Sequence, residues 1–309
     1  MRGMVHWEDV ESRRRDAGDI GALWTNLGDA IGSVAVGLRR IRIDPGKRST
    51  PVHVHGAEEE IFFILGGRGQ LWQGGAACEV REGDALVHVA ESEPHTLRAG
   101  AEGLDALAFG MRVPVEICYL PRAGMAWAGP TVLAAPGLLN LFQNDAAAGP
   151  LEFPSPGPRP ANVVAADGAS PREVRKGATR MTIRPLGRTG GAKRTGLNHV
   201  TIAPGAEGWP PHCHSAEEEI FIVLGGEGFF RLGEEERPVG RGHLISCPAG
   251  NGVAHSWRAG GQGLTYLAYG TREANDIAYY PRSRKISLRG IGVIGRLEQA
   301  DYWDGETPD

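Results

Sequence analysis

The sequence predicts an all-β protein made of two similar halves, each a barrel or sandwich of short strands. The 46 glycines and 21 prolines leave little room for long helices. The apolar runs are of strand length, and glycines close them. The second half also repeats motifs of the first. With 41% hydrophobic residues, the chain has enough apolar surface for two medium cores.

The repeat is plainest around a pair of histidines. Residues 53–62 (HVHGAEEEIF) are matched by residues 212–221 (HCHSAEEEIF). The following Leu-Gly-Gly and a later Tyr-x-Pro-Arg also occur in both halves. These matches lie at residues 65–67 and 224–226, and at residues 119–122 and 279–282. Each half therefore has the size and motifs of a complete domain.

A proline-rich segment separates the two halves. Residues 149–160 read GPLEFPSPGPRP, which is typical of a stiff, extended linker. We therefore expect an N-terminal domain at residues 1–148 and a C-terminal domain at residues 161–309. The first includes an apolar segment, residues 132–142, that we expect to cover a barrel end or the other domain.

Within each half, the strands follow from short runs of β-branched and aromatic residues. Residues 60–65 and 219–224 form one such pair of predicted strands, and each run ends at Gly-Gly. Residues 104–109 and 264–269 predict a later pair of strands, while Gly83 and Gly242 mark turns.

Three histidines and a glutamate in each half have the spacing of a metal site. His53 and His55 are two residues apart, so in a strand both project from one face. Glu60 begins the next strand, and His95 arrives on a strand that must pass nearby. The second half offers the same set as His212, His214, Glu219 and His255. Three nitrogens and one oxygen suit Mn, Fe, Ni, Cu or Zn, with positions left open for water or substrate, so we expect up to two divalent ions per chain.

These residues resemble the first motif of the cupin superfamily, G-x5-HxH-x3,4-E-x6-G, and the doubled arrangement resembles a bicupin. The motif runs from Gly46 to Gly67 and again from Gly205 to Gly226, with one extra residue before each histidine pair. The resemblance implies two double-stranded β-helix, or jelly-roll, barrels in tandem with few short helices. It also implies a metal centre of three histidines and one glutamate inside each barrel.

The glutamate ligand is ambiguous in both halves. Glu59 and Glu218 fit the shorter motif spacing, whereas Glu60 and Glu219 fit the longer one. We favour Glu60 and Glu219, because the motif glycine then falls on Gly67 and Gly226.

The second family motif, G-x5-PxG-x2-H-x3-N, is less complete. It resembles the stretch from Gly242 to His255, with two extra residues before the histidine. In the first half Val89 replaces the motif proline, and neither half has the closing asparagine.

Apolar residues that share strand parity with these ligands are expected inside the barrels, where they would form substrate pockets. Because Trp257 stands where the first half has Leu97, we expect the second pocket to be the more closed. We interpret His88, which matches Cys247, as a histidine at the barrel rim. The predicted pocket residues are Phe62, Ile64, Leu97, Phe221 and Trp257.

The leading functional hypothesis is a metalloenzyme that acts on a small carboxylate, enolate or phenolate. Dioxygenase-like chemistry is narrowly favoured over decarboxylation and isomerisation, because the sequence identifies no general acid or base. The alternative is a metal-assisted small-molecule binding or sensing protein without turnover. The family hosts many chemistries, so the resemblance does not choose among them.

Charge and composition restrict the partners. A net charge of −4 does not favour nucleic-acid or membrane binding. Residues 1–15 contain no apolar run of a secretory signal, so a cytoplasmic location is the expectation. The four cysteines form no CxxC pair, which disfavours a thiolate zinc site. The resemblance also implies a homodimer.

Overall fold

The computed structural model describes residues 3–129, 131–133 and 140–306. Strands dominate both halves, and the helices are short. In the first half the strands are β1 (Met4–His6), β2 (Ser12–Ala17), β3 (Ile20–Asn26), β4 (Val36–Ile43), β5 (Val54–His55), β6 (Glu60–Gln73), β7 (Ala76–Arg81), β8 (Asp84–His88), β9 (His95–Met111), β10 (Ile117–Leu120), β11 (Met125–Ala128) and β12 (Thr131–Leu133).

The second half repeats this order of strands. They are β13 (Val163–Ala165), β14 (Arg172–Lys176), β15 (Thr179–Arg184), β16 (Thr195–Ile202), β17 (Cys213–His214), β18 (Glu219–Leu232), β19 (Glu235–Gly240), β20 (His243–Cys247), β21 (His255–Thr271), β22 (Ile277–Tyr280), β23 (Lys285–Leu288) and β24 (Val293–Arg296). The α-helices are α1 (Leu27–Ala30), α2 (Leu141–Ala147) and α3 (Leu186–Thr189), and short 3₁₀ turns span Trp7–Asp9 and Arg289–Ile291.

Each half is a jelly-roll barrel formed by an eight-stranded sheet and a four-stranded sheet. In the first half the larger sheet has the order β13-β8-β6-β9-β4-β3-β2 with β7 beside β6, and the smaller has the order β12-β11-β10-β5. In the second half the orders are β1-β20-β18-β21-β16-β15-β14 with β19 beside β18, and β17-β22-β23-β24. The predicted all-β class with tandem jelly-roll barrels is therefore confirmed.

The two halves exchange edge strands. Strand β1 of the first half pairs with β20 of the second, and β13 of the second half pairs with β8 of the first. Strand pairing thus crosses the predicted boundary at residues 149–160 in both directions. The domain limits at residues 148 and 161 stay a prediction. The sequence did not indicate the exchange of edge strands across this boundary.

The alternation of side chains along β6 separates three apolar cores. Phe62 and Ile64 face the interior of the first barrel, whereas Ile61 and Phe63 face outward into a core between the halves. In β18, Phe221 faces the second barrel and Ile220 faces the shared core. The strand ends that carry the predicted ligands are therefore supported on both faces.

The central strands run through the Gly-Gly pair that the sequence predicts as their end. Strand β6 continues to Gln73, and its register against β9 shifts on both sides of Gly67. Gly67 has φ +85°, and a Cβ there would collide with the carbonyl oxygen of Gly103. The glycines therefore bend a continuous strand at a bulge.

The proline-rich segment lies along the first barrel. The backbone N–H of Gly157 donates to the carbonyl oxygen of Ala77 at 2.8 Å, and Arg159 forms an ion pair with the buried Asp84 at 2.5 Å. The segment contains no helix, and Gly157 forms an isolated bridge with Cys78.

Much of the predicted cover segment at residues 132–142 lies outside the described residues, which resume at Asn140. Helix α2, which follows, packs against the first barrel. Its Phe142 ring lies 5.8 Å from that of Trp24, and its buried Asp145 pairs with the buried Arg48 at 3.0 Å.

Candidate metal centres

The four predicted ligands of the first half meet inside the first barrel. His55 belongs to β5, while Glu60 and His95 are the first residues of β6 and β9. An isolated bridge between His53 and His95 brings the first and third histidines side by side. The Nε2 atoms of His53, His55 and His95 lie 3.2, 3.7 and 3.0 Å from Glu60 Oε2. Strand pairing thus aims three imidazoles at one carboxylate oxygen.

The other ring nitrogen of each histidine has a hydrogen-bond acceptor. An Nδ1 atom that donates a proton leaves Nε2 with a free lone pair, which is the form that binds a metal. All three rings are therefore fixed in orientation and in tautomer. The bonds run from His53 Nδ1 to Pro51 O at 2.9 Å, from His95 Nδ1 to Glu93 O at 3.2 Å, and from His55 Nδ1 to Glu116 Oε1 at 3.1 Å.

The second half repeats this arrangement around Glu219. His214 Nε2 and His255 Nε2 lie 3.5 and 3.1 Å from Glu219 Oε2. Potential ligand atoms of His212, Glu219 and His255 all lie within 4.8 Å of one another. His212 Nδ1 donates to the carbonyl oxygen of Pro210 at 2.8 Å, and His214 Nδ1 donates to Asp276 at 2.7 Å.

The donor atoms fit a divalent transition metal in each barrel. In the second centre, His214 Nε2 is buried and has no hydrogen-bond partner among the described residues, which is costly unless a ligand satisfies it. Three imidazole nitrogens and one carboxylate oxygen suit Mn, Fe, Ni, Cu or Zn and leave coordination positions open. Among the described residues, the clusters around Glu60 and Glu219 are thus candidate sites for such an ion, one in each barrel.

The predicted ligands differ in ionisation. Burial alone would lower the pKa of His55, His214 and His255, but hydrogen bonds to neighbouring side chains and the charges on them raise it, so metal binding has to displace protons from these rings. Burial lowers the pKa of His95 and of His212 to about 4, so both rings are neutral at neutral pH. Burial alone would raise the pKa of Glu219, but a hydrogen bond from His255 and the neighbouring imidazoles lower it to about 2. Neutral imidazole and ionised carboxylate are the forms that coordinate metals.

The neighbouring glutamates point away from the clusters. Glu59 accepts hydrogen bonds from the backbone N–H groups of Lys193, Arg194 and Thr195 in the other half. Glu218 accepts hydrogen bonds from the backbone N–H groups of residues 34–36 in the first half. The geometry therefore places Glu60 and Glu219, rather than Glu59 and Glu218, among the histidines.

Glu116 and Asp276 are the functional residues that sequence reasoning missed. Each accepts the Nδ1 proton of the second histidine and backbone N–H groups of the loop that follows it. Glu116 directly precedes Ile117 in the first half, as Asp276 precedes Ile277 in the second. This repeated acid, three residues before each Tyr-x-Pro-Arg motif, is a signal that could have identified the pair.

The predicted pocket residues all lie in the barrel interiors, but they differ in their distance from the clusters. The ring of Phe62 lies 6.0 Å from that of His95, and the ring of Phe221 lies 5.4 Å from that of His255. Ile64 and Leu97 are fully buried in the first core. Trp257 packs face to face on Tyr266, with 4.6 Å between their ring centroids.

The expectation that the second pocket is the more closed is wrong. A cavity of about 350 Å³ reaches His212, Glu219 and His255, and Phe221 and Trp257 form part of its wall. The Glu219 side chain is 25% exposed, against 16% for Glu60. The indole of Trp257 stacks on an aromatic neighbour and therefore lines the cavity without filling it.

The sequence suggested that His88 lies at the barrel rim, but the structure places it elsewhere. Its ring is buried and stacks on that of His95, with 3.6 Å between centroids and 6° between planes. Neither ring nitrogen has a hydrogen-bond partner among the described residues. Burial lowers the pKa of His88 well below its usual value, so the ring is neutral. This side chain fills part of the first barrel where the second half has the smaller Cys247.

No helix within the described ranges is both long and apolar enough to cross a membrane.

Comparison with protein families matches two segments of the chain to the Cupin domain model. The segments are residues 39–109 and 198–267, one in each barrel. No curated protein matches the sequence closely enough to count as a relative.

Solved structures with the same fold include oxalate decarboxylases from two bacteria. The Bacillus subtilis enzyme at pH 4.6 has a TM-score of 0.58 and 16% identity, over 86% of this chain and 75% of that chain. A Bacillus subtilis structure described for its Mn(II) centres has a TM-score of 0.58 and 15% identity, over 88% and 78%. The Lactobacillus farciminis enzyme in complex with formate has a TM-score of 0.59 and 13% identity, over 87% and 86%. At these identities, the likeness concerns the fold.

Proposed function

Because the chain is a bicupin with a histidine–glutamate cluster in each barrel, we propose that it is a metalloenzyme acting on a small oxygen-bearing substrate. The observation that carries this proposal is the convergence of imidazole Nε2 atoms on Glu60 and again on Glu219. When bound, a divalent transition ion supplies Lewis-acid polarisation of substrate oxygens and, if it is redox-active, activation of dioxygen.

The chain's own residues orient the ligand rings, give the substrate a route to the cluster and exclude water from it. Glu116 and Asp276 keep the rings of His55 and His214 in the metal-binding tautomer. The cavity leads from the protein surface to the second cluster, where a carboxylate, enolate or phenolate oxygen can approach the open positions. Its aromatic wall excludes water and strengthens electrostatic interactions with the substrate.

Dioxygenase-like oxidation is our first candidate reaction. The carboxylates that line the cavity are Glu219, which belongs to the cluster, and Glu217, which forms an ion pair with Arg289. Glu219 is ionised within the cluster, whereas burial raises the pKa of Glu217 to about 7 despite the neighbouring Arg289, so Glu217 is the carboxyl group of this cavity that can protonate the carbanion left by loss of carbon dioxide. Decarboxylation is the second candidate, and the oxalate decarboxylases that share the fold support it.

Oxygen uptake and carbon dioxide release separate the reactions. Protein loaded with Mn or Fe would be assayed in an oxygen electrode with oxalate, acetylacetone and catechol as a carboxylate, an enolate source and a phenolate source. We expect metal-dependent oxygen uptake that is lost in His212→Ala. Carbon dioxide release without oxygen uptake would support decarboxylation. Metal-dependent ligand binding without turnover would instead support the binding or sensing hypothesis.

We also infer a homodimer, which the exposed edge strand β24 supports. Val293 and Ile294 of this strand are 48% and 64% exposed, and an apolar edge strand readily pairs with another chain. Light scattering should give twice the mass of the chain, and a strictly monomeric species would contradict the inference.

A further inference from the structure

The cavity at the second centre is unusually rich in arginine. Arg172, Arg188, Arg272 and Arg289 all contribute to its lining. Arg289 is neutralised by its ion pair with Glu217. Within the described part of the chain, no carboxylate forms an ion pair with the other three guanidinium groups. The cavity thus combines a metal-binding cluster with an uncompensated positive charge elsewhere in its wall.

The repeat shows that this charge is specific to the second half. Arg188 follows Leu-Gly in helix α3, where helix α1 of the first half has Asp29. Arg272 follows β21 as Arg112 follows β9. In the first half Arg112 Nη2 lies 2.6 Å from Asp29 Oδ1, so the pair is neutral. In the second half the aspartate is replaced by arginine, and two cations line the same cavity.

Part of the wall is aromatic, and the wall also contains unsatisfied polar atoms. Phe221, Trp257 and Tyr266 contribute flat apolar surface. Trp257 Nε1 and Thr271 Oγ1 are buried, belong to lining residues and have no hydrogen-bond partner among the described residues. A bound molecule with polar groups would satisfy them. The volume of about 350 Å³ is in the range of pockets that hold small organic ligands.

We propose that this cavity binds a molecule with two anionic ends. An oxygen donor at one end meets the cluster around Glu219, an apolar body lies against the aromatic wall, and a carboxylate at the other end binds Arg188 and Arg272. The planar guanidinium fork matches a carboxylate in two parallel hydrogen bonds. The metal-facing end rests on the proposed function, whereas the arginine end rests on the contrast between the two halves.

Calorimetry on the metal-loaded protein tests the arginine end. Adipate, suberate and sebacate would be compared with hexanoate, octanoate and decanoate, the monocarboxylates of the same lengths. We expect the best-fitting dicarboxylate to bind about tenfold more tightly than its monocarboxylate, because one charge-assisted contact is worth about that factor. The difference should shrink as salt is added.

Two variants with a matched control locate the contact. Arg188→Asp recreates the neutral pair of the first half, and Arg188→Gln/Arg272→Gln removes both charges. Each should reduce the dicarboxylate preference to within about twofold. Arg175→Gln, on the exposed part of β14, changes the net charge without touching the cavity and should keep the preference. Equal affinity for both ligand classes in the unchanged protein, or a preference that survives Arg188→Asp, would overturn the proposal.

The metal-facing end is tested separately with octanoate. If the proposed function holds, removal of the metal by a chelator should weaken octanoate binding at least about tenfold. Unchanged octanoate affinity would contradict the metal-facing end alone. The comparison of suberate with octanoate in the arginine variants would still decide the arginine end.

Discussion

Three consecutive glutamates in each half point in three directions. Glu58 accepts the backbone N–H of Val113 at 3.1 Å, Glu59 reaches across to the other half, and Glu60 lies among the histidines. Alternation along an extended chain separates Glu59 from its two neighbours. Glu58 lies in the loop before β6, where it reaches a different partner from Glu60. Glu217, Glu218 and Glu219 repeat this division of roles.

Changing each of two neighbouring glutamates to glutamine separates their effects on metal binding and on stability. Glu60→Gln should release metal from the first centre, because an amide oxygen is a much weaker ligand than a carboxylate. Glu59→Gln should keep the metal but lower the free energy of unfolding by about 2 kcal/mol, because charge-assisted hydrogen bonds across the halves are lost. Metal content and urea unfolding measure the two effects. Metal loss in Glu59→Gln but not in Glu60→Gln would reverse the assignment.

Glu116, which accepts the Nδ1 proton of His55, should raise the metal affinity of the first centre. Glu116→Gln leaves the ligands in place but weakens the hold on the His55 ring, so we expect metal affinity to fall about 10–100-fold. Competition with a chromogenic chelator measures this change. Glu82→Gln, in an exposed turn, is the control and should bind metal as the unchanged protein does. Equal affinities for both variants would show that Glu116 does not support the ligand.

The sequence was sufficient to group the predicted metal ligands and to favour Glu60 and Glu219, although the histidine–glutamate spacing alone left the glutamate ambiguous. The His-x-His spacing, the repeat and strand parity together predict which histidines meet. Motif spacing permits Glu59 as well as Glu60, and the position of the motif glycine favours Glu60. The packing of the two halves shows where Glu59 goes instead, because its carboxylate binds backbone N–H groups of the other half. His88 was misjudged for a similar reason, because its burial depends on how β8 pairs with β6.

At the level of elements, bulged central strands position the clusters. Strand β6 begins at Glu60 and shifts register around Gly67, and β18 does the same around Gly226. Each bend lets one strand carry a ligand at one end and pair with β7 or β19 at the other. The sequence predicted a strand end here, because a Gly-Gly pair has the same local signature in a turn and in a bulge.

Substituting the bulge glycine should destabilise the first barrel. Gly67→Ala forces a Cβ onto the carbonyl oxygen of Gly103 at a positive φ, whereas Gly75→Ala at φ +89° has open space around it. We expect Gly67→Ala to cost at least about 2 kcal/mol more than Gly75→Ala. Thermal and urea unfolding of both variants measure the difference. Equal losses of stability would mean that the backbone, rather than the close approach, sets the cost.

At the scale of the whole molecule, the two halves share one structural unit. The apolar core between them includes Ile61 and Phe63 from the first barrel and Ile220 and Ile222 from the second. Exchanged edge strands and reciprocal buried glutamates reinforce this contact. Two units that share a core of this kind should unfold together.

Calorimetric unfolding tests this coupling. The unchanged protein should unfold in one transition, and Phe63→Ala should cost about 3–5 kcal/mol and lower the melting temperature of both halves. Phe153→Ala, whose ring lies over the Arg98 guanidinium beside the first barrel, should cost much less. Two separate transitions in the unchanged protein would contradict a shared core.

The sequence predicts the two barrels from the repeat, but it does not predict how they are joined. Strands β1 and β13 are only three residues long, and nothing local shows that each completes the sheet of the other half. Their pairing is a property of the assembled molecule, since it depends on the shared core. A linker at residues 149–160 could be predicted from local signals, because proline restricts the backbone locally.

The most direct test of the central claim is the metal content per chain, measured by elemental analysis of the purified protein and three variants. The unchanged protein should hold about two divalent ions per chain, one for each cluster. His53→Ala and His212→Ala should each lose about one ion, while His6→Ala, outside both clusters, should lose none. Metal content that stays the same in His53→Ala and His212→Ala would show that these imidazoles do not hold the ions.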